Sequence, residues 1–187
     1  MTEHGTTTPQ DDRPLAIVIS RYNRGVTDRL LDGAVAEAKR RGETEPGPAV
    51  IDAPGAFELA AIAARVAETG AYQGIVCLGC VIKGDTRHDE YINAAVANAL
   101  ADISVQSGIP AAFGVITAEN AQQARDRAGG TKGNKGEEAM SALLDTLAAF
   151  DAIDAALEAG TPANVARTIL GSPADKADAS AGTEKHG

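Results

Sequence analysis

The sequence predicts an α/β fold, a three-layer sandwich in which a four-stranded parallel sheet lies between helices, on three observations. Short aliphatic runs alternate with amphipathic helical stretches four times, and a further helix ends the series. Parallel strands need crossovers, so this alternation implies a sheet covered by helices on both faces. The chain has 187 residues, enough for one domain of ordinary size, roughly 150 residues, with segments left over at the ends. Hydrophobic residues make up 44% but are mostly Ala, Val, Leu and Ile, with no Trp and only three Phe and three Tyr, so the core is aliphatic and each ring carries a large share of the available burial.

The first strand is expected at 15–19, ending in Ser-Arg-Tyr-Asn-Arg. A helix over 27–41 puts Leu30, Leu31, Ala34, Val35 and Ala38 on one face, with Thr27 as N-cap and Gly42 as stop. A second strand at 49–52 closes at Pro54-Gly55, and a helix over 57–68 aligns Leu59, Ile62, Ala63 and Val66 ahead of Gly70. The third strand, 74–82, leads through Lys83-Gly84-Asp85-Thr86 into a long helix over 88–107, with Ile92, Val96, Ala99 and Ile103 as its buried stripe. A fourth strand at 111–117 follows Gly108-Ile109-Pro110; then come a short helix at 121–128, a glycine-rich loop at 129–134 and a last helix from Lys135. Residues 1–13 and the end of the chain lack periodic apolar residues, so a folded body at 14–160 is expected between a disordered arm at 1–13 and a disordered tail at 161–187.

Composition excludes several classes. A net charge of −9 without any basic, aromatic-interleaved cluster speaks against a nucleic-acid surface. No apolar run approaches the ~20 residues of a membrane span, and the polar start has no signal-peptide core, so a cytoplasmic protein is expected. Cys77 and Cys80 form a C-x-x-C, but both lie in one strand and a separation of three turns them to opposite faces, which suits small buried hydrophobes rather than a redox pair or metal site.

In a sheet of this kind ligands bind beyond the carboxyl ends of the strands, here the loops 20–26, 53–57, 80–88 and 113–119. Three of the six rings fall there: Tyr22, Phe57 and Phe113. They can sandwich a flat heterocycle, or Phe57 and Phe113 can simply fill the core; the sequence leaves both open. Asn23 offers an amide, and Pro54-Gly55-Ala56-Phe57-Glu58 offers backbone N–H groups and a carboxylate. The turn 79–89 aims unpaired N–H groups and a helix dipole at one spot, which favours a phosphate or carboxylate. His88, the body's only histidine, lies within a turn of it, and an imidazole is a side chain suited to giving and taking a proton. Taken alone, Glu58 and Asp85 read as helix-start stabilisers rather than ligands, and Arg127 and Lys135, which flank the glycine-rich loop, as surface charges or as anion ligands of this site or a neighbouring subunit's copy. Gly79 and Gly84 have nucleotide-loop spacing, but Asp85 stands where the lysine belongs and no G-x-G-x-x-G follows a strand, so neither a nucleoside triphosphate nor a nicotinamide cofactor is expected.

Six fragments in this order carry a resemblance: Ser-Arg-Tyr-Asn after the first strand, Leu-Leu-Asp-Gly-Ala in the first helix, Pro-Gly-Ala-Phe-Glu at 54–58, Val-Ile-Lys-Gly-Asp-Thr-Arg-His at 81–88, Phe-Gly-Val-Ile-Thr at 113–117, and Arg-Ala-Gly-Gly-Thr-Lys-Gly-Asn-Lys-Gly at 127–136. Together they resemble the lumazine synthase family over about 14–150. The resemblance implies a flavodoxin-like sheet and condensation of 5-amino-6-(D-ribitylamino)uracil with 3,4-dihydroxy-2-butanone 4-phosphate to 6,7-dimethyl-8-ribityllumazine, the penultimate step of riboflavin biosynthesis, with no cofactor and no metal. It implies that Tyr22 stacks on the pyrimidine with Asn23 beside it, that Ala56, Phe57 and Glu58 hold the ribityl chain, and that Cys80, Val81 and Ile82 bind the pyrimidine edge through backbone groups. It further implies that Asp85, Thr86 and Arg127 hold the phosphate, that His88 shuttles protons, that Phe113 comes from an adjacent subunit, and that Lys135 helps. Pentamers are implied, as are sixty-subunit shells in some members and riboflavin synthase as a partner; the loop 129–134 lacks the insertion of members that stop at the pentamer. Two positions depart from the family's pattern: Tyr22, where Phe or Trp is more common, and Asp89, where an aromatic is. A flavin- or lumazine-binding module without turnover and a structural shell with residual activity stay open as other readings.

Overall fold

In the computed structural model, which describes residues 13–43 and 47–161, β1 (Leu15–Ser20) is buried at every position. Such a run needs helices on both sides. It is followed by α1 (Arg24–Arg40), β2 (Ala49–Ala53), α2 (Leu59–Glu68), β3 (Gly74–Ile82), α3 (His88–Ser107), β4 (Ala111–Ala118), α4 (Ala121–Asp126), β5 (Ala128–Gly130), β6 (Gly133–Asn134) and α5 (Lys135–Glu158). The four long strands pair in parallel in the order β2-β1-β3-β4. Chain order therefore reverses between β1 and β3, and in open sheets that is where ligands bind.

Alternating residues build two cores. Leu15, Ile17 and Ile19 of β1, with Val76, Leu78 and Cys80 of β3, pack under Leu30 and Ala34 of α1 and Met140 and Leu143 of α5. Ala16 and Val18, with Ile75, Cys77 and Val81, pack under Leu59 and Ala63 of α2 and Val96 and Leu100 of α3. Cys77 and Cys80 thus belong to opposite faces, as their spacing requires.

Three local expectations need correction. α1 begins three residues before Thr27, because the carbonyl of Asn23 accepts from the N–H groups of Val26 and Thr27 at 2.8 and 3.1 Å; Thr27 is buried with its hydroxyl unpartnered rather than capping. Val35 is 39% exposed, and Glu37 is buried in its place, its carboxylate held by Arg40 at 2.6 and 2.7 Å. The loop expected at 129–134 is instead most of a small antiparallel hairpin, β5–β6, which turns at Thr131 and Lys132.

The chain divides into two compact units, Met1–Leu147 and Ala148–Gly187. In the second, the described part is the end of α5, closed by Gly160 at φ 66 with Thr161 N–H donating to Ala156 O at 2.9 Å. The arm expected at 1–13 and the tail at 161–187 lie outside the described residues, except for Arg13 and Thr161. Arg13 donates to the Gly70 carbonyl at 2.9 Å. Among the described residues no helix is long and apolar enough to cross a membrane.

Candidate active site

A cleft of about 590 Å³ opens at the β1/β3 reversal. After β1 come Tyr22 and Asn23, after β2 the run from Gly55 to Glu58, from β3 Cys80, Val81 and Ile82, and from the next turn Gly84, Thr86 and His88. Its size is that of an ordinary small-molecule site.

Asn23 shapes the first wall. It adopts the left-handed conformation, φ 62, which Asn tolerates better than most residues, and its Nδ2 donates to the Cys80 carbonyl at 2.9 Å. The amide is therefore spent on the end of β3 instead of on capping α1. The next residue back, Tyr22, is 71% exposed, and Phe57, on the β2 loop, is 58% exposed. Neither ring is core filler; both stand on the cleft. Glu58 makes no capping bond to α2, and a side chain added at Gly55 would meet its carboxylate at 2.8 Å, so glycine leaves room for it to fold back.

The floor is β3. Its pairing with β1 stops at Leu78, whereas its pairing with β4 continues to Ile82. Backbone groups of Gly79 to Ile82 on the β1 side are thus free of ladder bonds, Cys80 O excepted, and can read the edge of a planar heterocycle. Burial pushes the Cys80 thiol up to about 11 and the Cys77 thiol up to about 12, so both stay neutral and unreactive at physiological pH.

The far wall is the start of α3, where no side chain caps the first turn. Among the described residues the N–H groups of Gly84 to Arg87 have no partner, and Arg87 is engaged with Glu90 at 2.6 and 2.9 Å. That leaves a corner of free N–H groups, which suits an anion, with His88 exposed beside it.

Four candidates are not on this cleft within one chain. Phe113 lies opposite Cys77, five residues and about 16 Å before the end of β4, half-buried against the α2/α3 core. Arg127 lines a second cleft of about 480 Å³ with Lys83, Thr117, Glu119 and Lys132. Asp85 is exposed on the turn without lining either cleft. Lys135 starts α5 and pairs with Glu138 at 3.1 Å. Conversely, Ile92 and Asp89 line the cleft although the sequence reading placed Ile92 only in the core; its position one turn beyond His88 was the available signal. Among the described residues no cluster of His, Cys, Asp and Glu could hold a metal ion.

A parallel α/β sheet with an aromatic-walled cleft at its order reversal, a free strand edge, and unpartnered N–H groups beside an imidazole is the architecture of an α/β protein with a small-molecule site at the sheet's rim. The family model for 6,7-dimethyl-8-ribityllumazine synthase matches residues 13–151, and the chain belongs to this family. The family forms 6,7-dimethyl-8-ribityllumazine in riboflavin biosynthesis, and the chain is an enzyme of it.

Proposed function

We propose that the first cleft condenses 5-amino-6-(D-ribitylamino)uracil with 3,4-dihydroxy-2-butanone 4-phosphate, releasing phosphate and water. The observation that carries this reading is the free edge of β3 facing two exposed rings. Tyr22 stacks on the pyrimidine, backbone groups of Cys80, Val81 and Ile82 hold its edge, and Ala56, Phe57 and Glu58 hold the ribityl hydroxyls. The N–H groups of the α3 turn, those of Asp85 and Thr86 among them, take the phosphate, with Arg127 reaching it from a neighbouring copy, since within one chain it lines the second cleft.

Attack of the amine on the ketone, loss of water, departure of phosphate and ring closure each move a proton, and His88 is placed to give and take it. Holding both substrates in one cleft supplies much of the remaining rate, since effective molarities of oriented pairs are worth roughly 7–11 kcal/mol. Lys135 acts at the base of the β5–β6 hairpin, where its N–H donates to the Arg127 carbonyl at 2.8 Å.

Phe113 enters from a neighbouring copy in a pentamer. Supporting this, α3 has a second face of small and apolar residues on helical spacing, Tyr91, Ala94, Ala95, Ala101 and Val105, with Tyr91 70% and Val105 85% exposed. Mixing the purified protein with both substrates tests the function: lumazine fluorescence should rise with one phosphate released per product. Product binding without turnover would instead make this a carrier.

A further inference from the structure

The last turns of α5 carry an exposed apolar stripe: Phe150, Ile153 and Leu157, at i, i+3 and i+7, are 40, 43 and 59% exposed. The stripe lies wholly within the second compact unit, Ala148–Gly187, and a row of large apolar side chains on a helix calls for a cover. The helix is stopped just past it. Gly160, at φ 66, donates its N–H to the Leu157 carbonyl at 3.1 Å, and Thr161 donates to the Ala156 carbonyl at 2.9 Å, the two bonds of a left-handed helix stop that turns the chain aside.

Thr161-Pro162 then has the composition of a new helix start, a hydroxyl N-cap followed by proline at the first helical position. Pro162, Val165, Ala166 and Ile169 recur at helical spacing, and Gly171 stands where such a helix would stop. Apolar periodicity thus runs on for one more helix and is lost only from Ser172. The two stripes are in register about the turn: Leu157 and Val165 each lie four residues from Thr161, and Ile153 and Ile169 each lie eight. Gly160 and Thr161 make a connection of the length that joins antiparallel helices, roughly 2–5 residues. Charge points the same way. Asp151, Asp154 and Glu158 are the only charged residues between Ala148 and Thr161, at the helix end where acids are least favourable, and Arg167 is the only one between Pro162 and Gly171. Arg167 lies six residues past Thr161, level with Ala155 and so between Asp154 and Glu158.

We propose that residues 162–170 form a helix that folds back on the end of α5 in the same chain, Val165 and Ile169 covering Leu157 and Ile153, Leu170 nearest Phe150, and Arg167 facing the acids. This second helix lies beyond residues 13–151, which the family model matches, and it leaves the disorder expected at 161–187 to the residues after Gly171. It does not depend on the reaction proposed above.

Trypsin tests this in the full chain, because Arg167 lies in the segment and Lys176 beyond it. A docked helix must open before it is cut, so cleavage after Arg167 should be at least about tenfold slower than after Lys176. Leu157→Asp on α5, or Ile169→Asp on the segment, should bring the two rates within about twofold. Ile153→Cys/Ile169→Cys, which keeps both positions apolar, carries the test if the aspartate variants fail to fold: mild oxidation should link the two positions within one chain. Cys77 and Cys80, buried in β3, stay out of that exchange. Equal cutting after Arg167 and Lys176 in the unmodified protein would overturn the inference, as would slow cutting after Arg167 that Leu157→Asp leaves slow. Absence of the link would also overturn it, and a link that joins two chains on a denaturing gel would do so by making a second copy the occupant.

Discussion

His88 is the first residue of α3 and lines the cleft, where proton transfer is its proposed role. His88→Ala should slow lumazine formation about 10- to 100-fold at saturating substrates, at or below the low end of general acid–base effects, because proximity survives the change. An unchanged steady-state rate would remove His88 from the mechanism. Residues at strand ends were legible from sequence: Tyr22, Asn23, Phe57, Cys80 and His88 follow aliphatic runs and so had to meet at one rim. Phe113 was not, since its place on the sheet depends on the register with Cys77, which no local pattern encodes. Nor was the engagement of the Asn23 amide with a carbonyl 57 residues away.

At the scale of elements, the pattern gave β3 and α3 their full extents and missed the start of α1 by three residues, because Thr27 has the composition of a cap but the burial of a core residue. The β5–β6 hairpin was invisible because its strands are Gly-rich and two or three residues long. Glycine decides how α5 meets α1: a Cβ at Gly136 would fall on the backbone carbonyl of Leu30, which cannot move without shifting the helix. Gly136→Ala should therefore cost about 3 kcal/mol or more, whereas Gly25→Ala, helical and with nothing near its added methyl, should stabilise by a few tenths to about 1 kcal/mol. Thermal melting of the two variants checks the contrast. The two β3 thiols give a pH signature. Their ordinary value is 9.0, and burial raises Cys77 to about 12 and Cys80 to about 11, so above pH 9 the unfolded chain releases protons that the fold retains. Stability is intact below pH 9 and declines as pH rises toward those folded values, by about 1 kcal/mol per thiol at pH 10. Urea unfolding at pH 8 and pH 10 should show a smaller loss for the Cys77→Ala/Cys80→Ala variant than for the unmodified protein; equal losses would deny the thiols this role.

At the scale of the molecule, the cleft at the sheet reversal is incomplete within one chain if a third ring is needed, because Phe113 sits mid-strand on the far half of the sheet. Sharing the site between copies has a consequence that an isolated-chain site lacks. In the proposed ring each site would take His88 from one copy and Phe113 from its neighbour, so two defective variants would rebuild an intact site where they meet. Co-expressed in equal amounts, His88→Ala and Phe113→Ser chains should assemble at random, and roughly a quarter of the interfaces should then join an intact His88 to an intact Phe113. Activity of the mixture should approach a quarter of the unmodified rate, well above either variant alone, and should disappear when the two proteins are purified separately and mixed without exchange of subunits. Were both groups needed from the same chain, every site would carry a lesion and co-expression would recover nothing beyond the average of the parents.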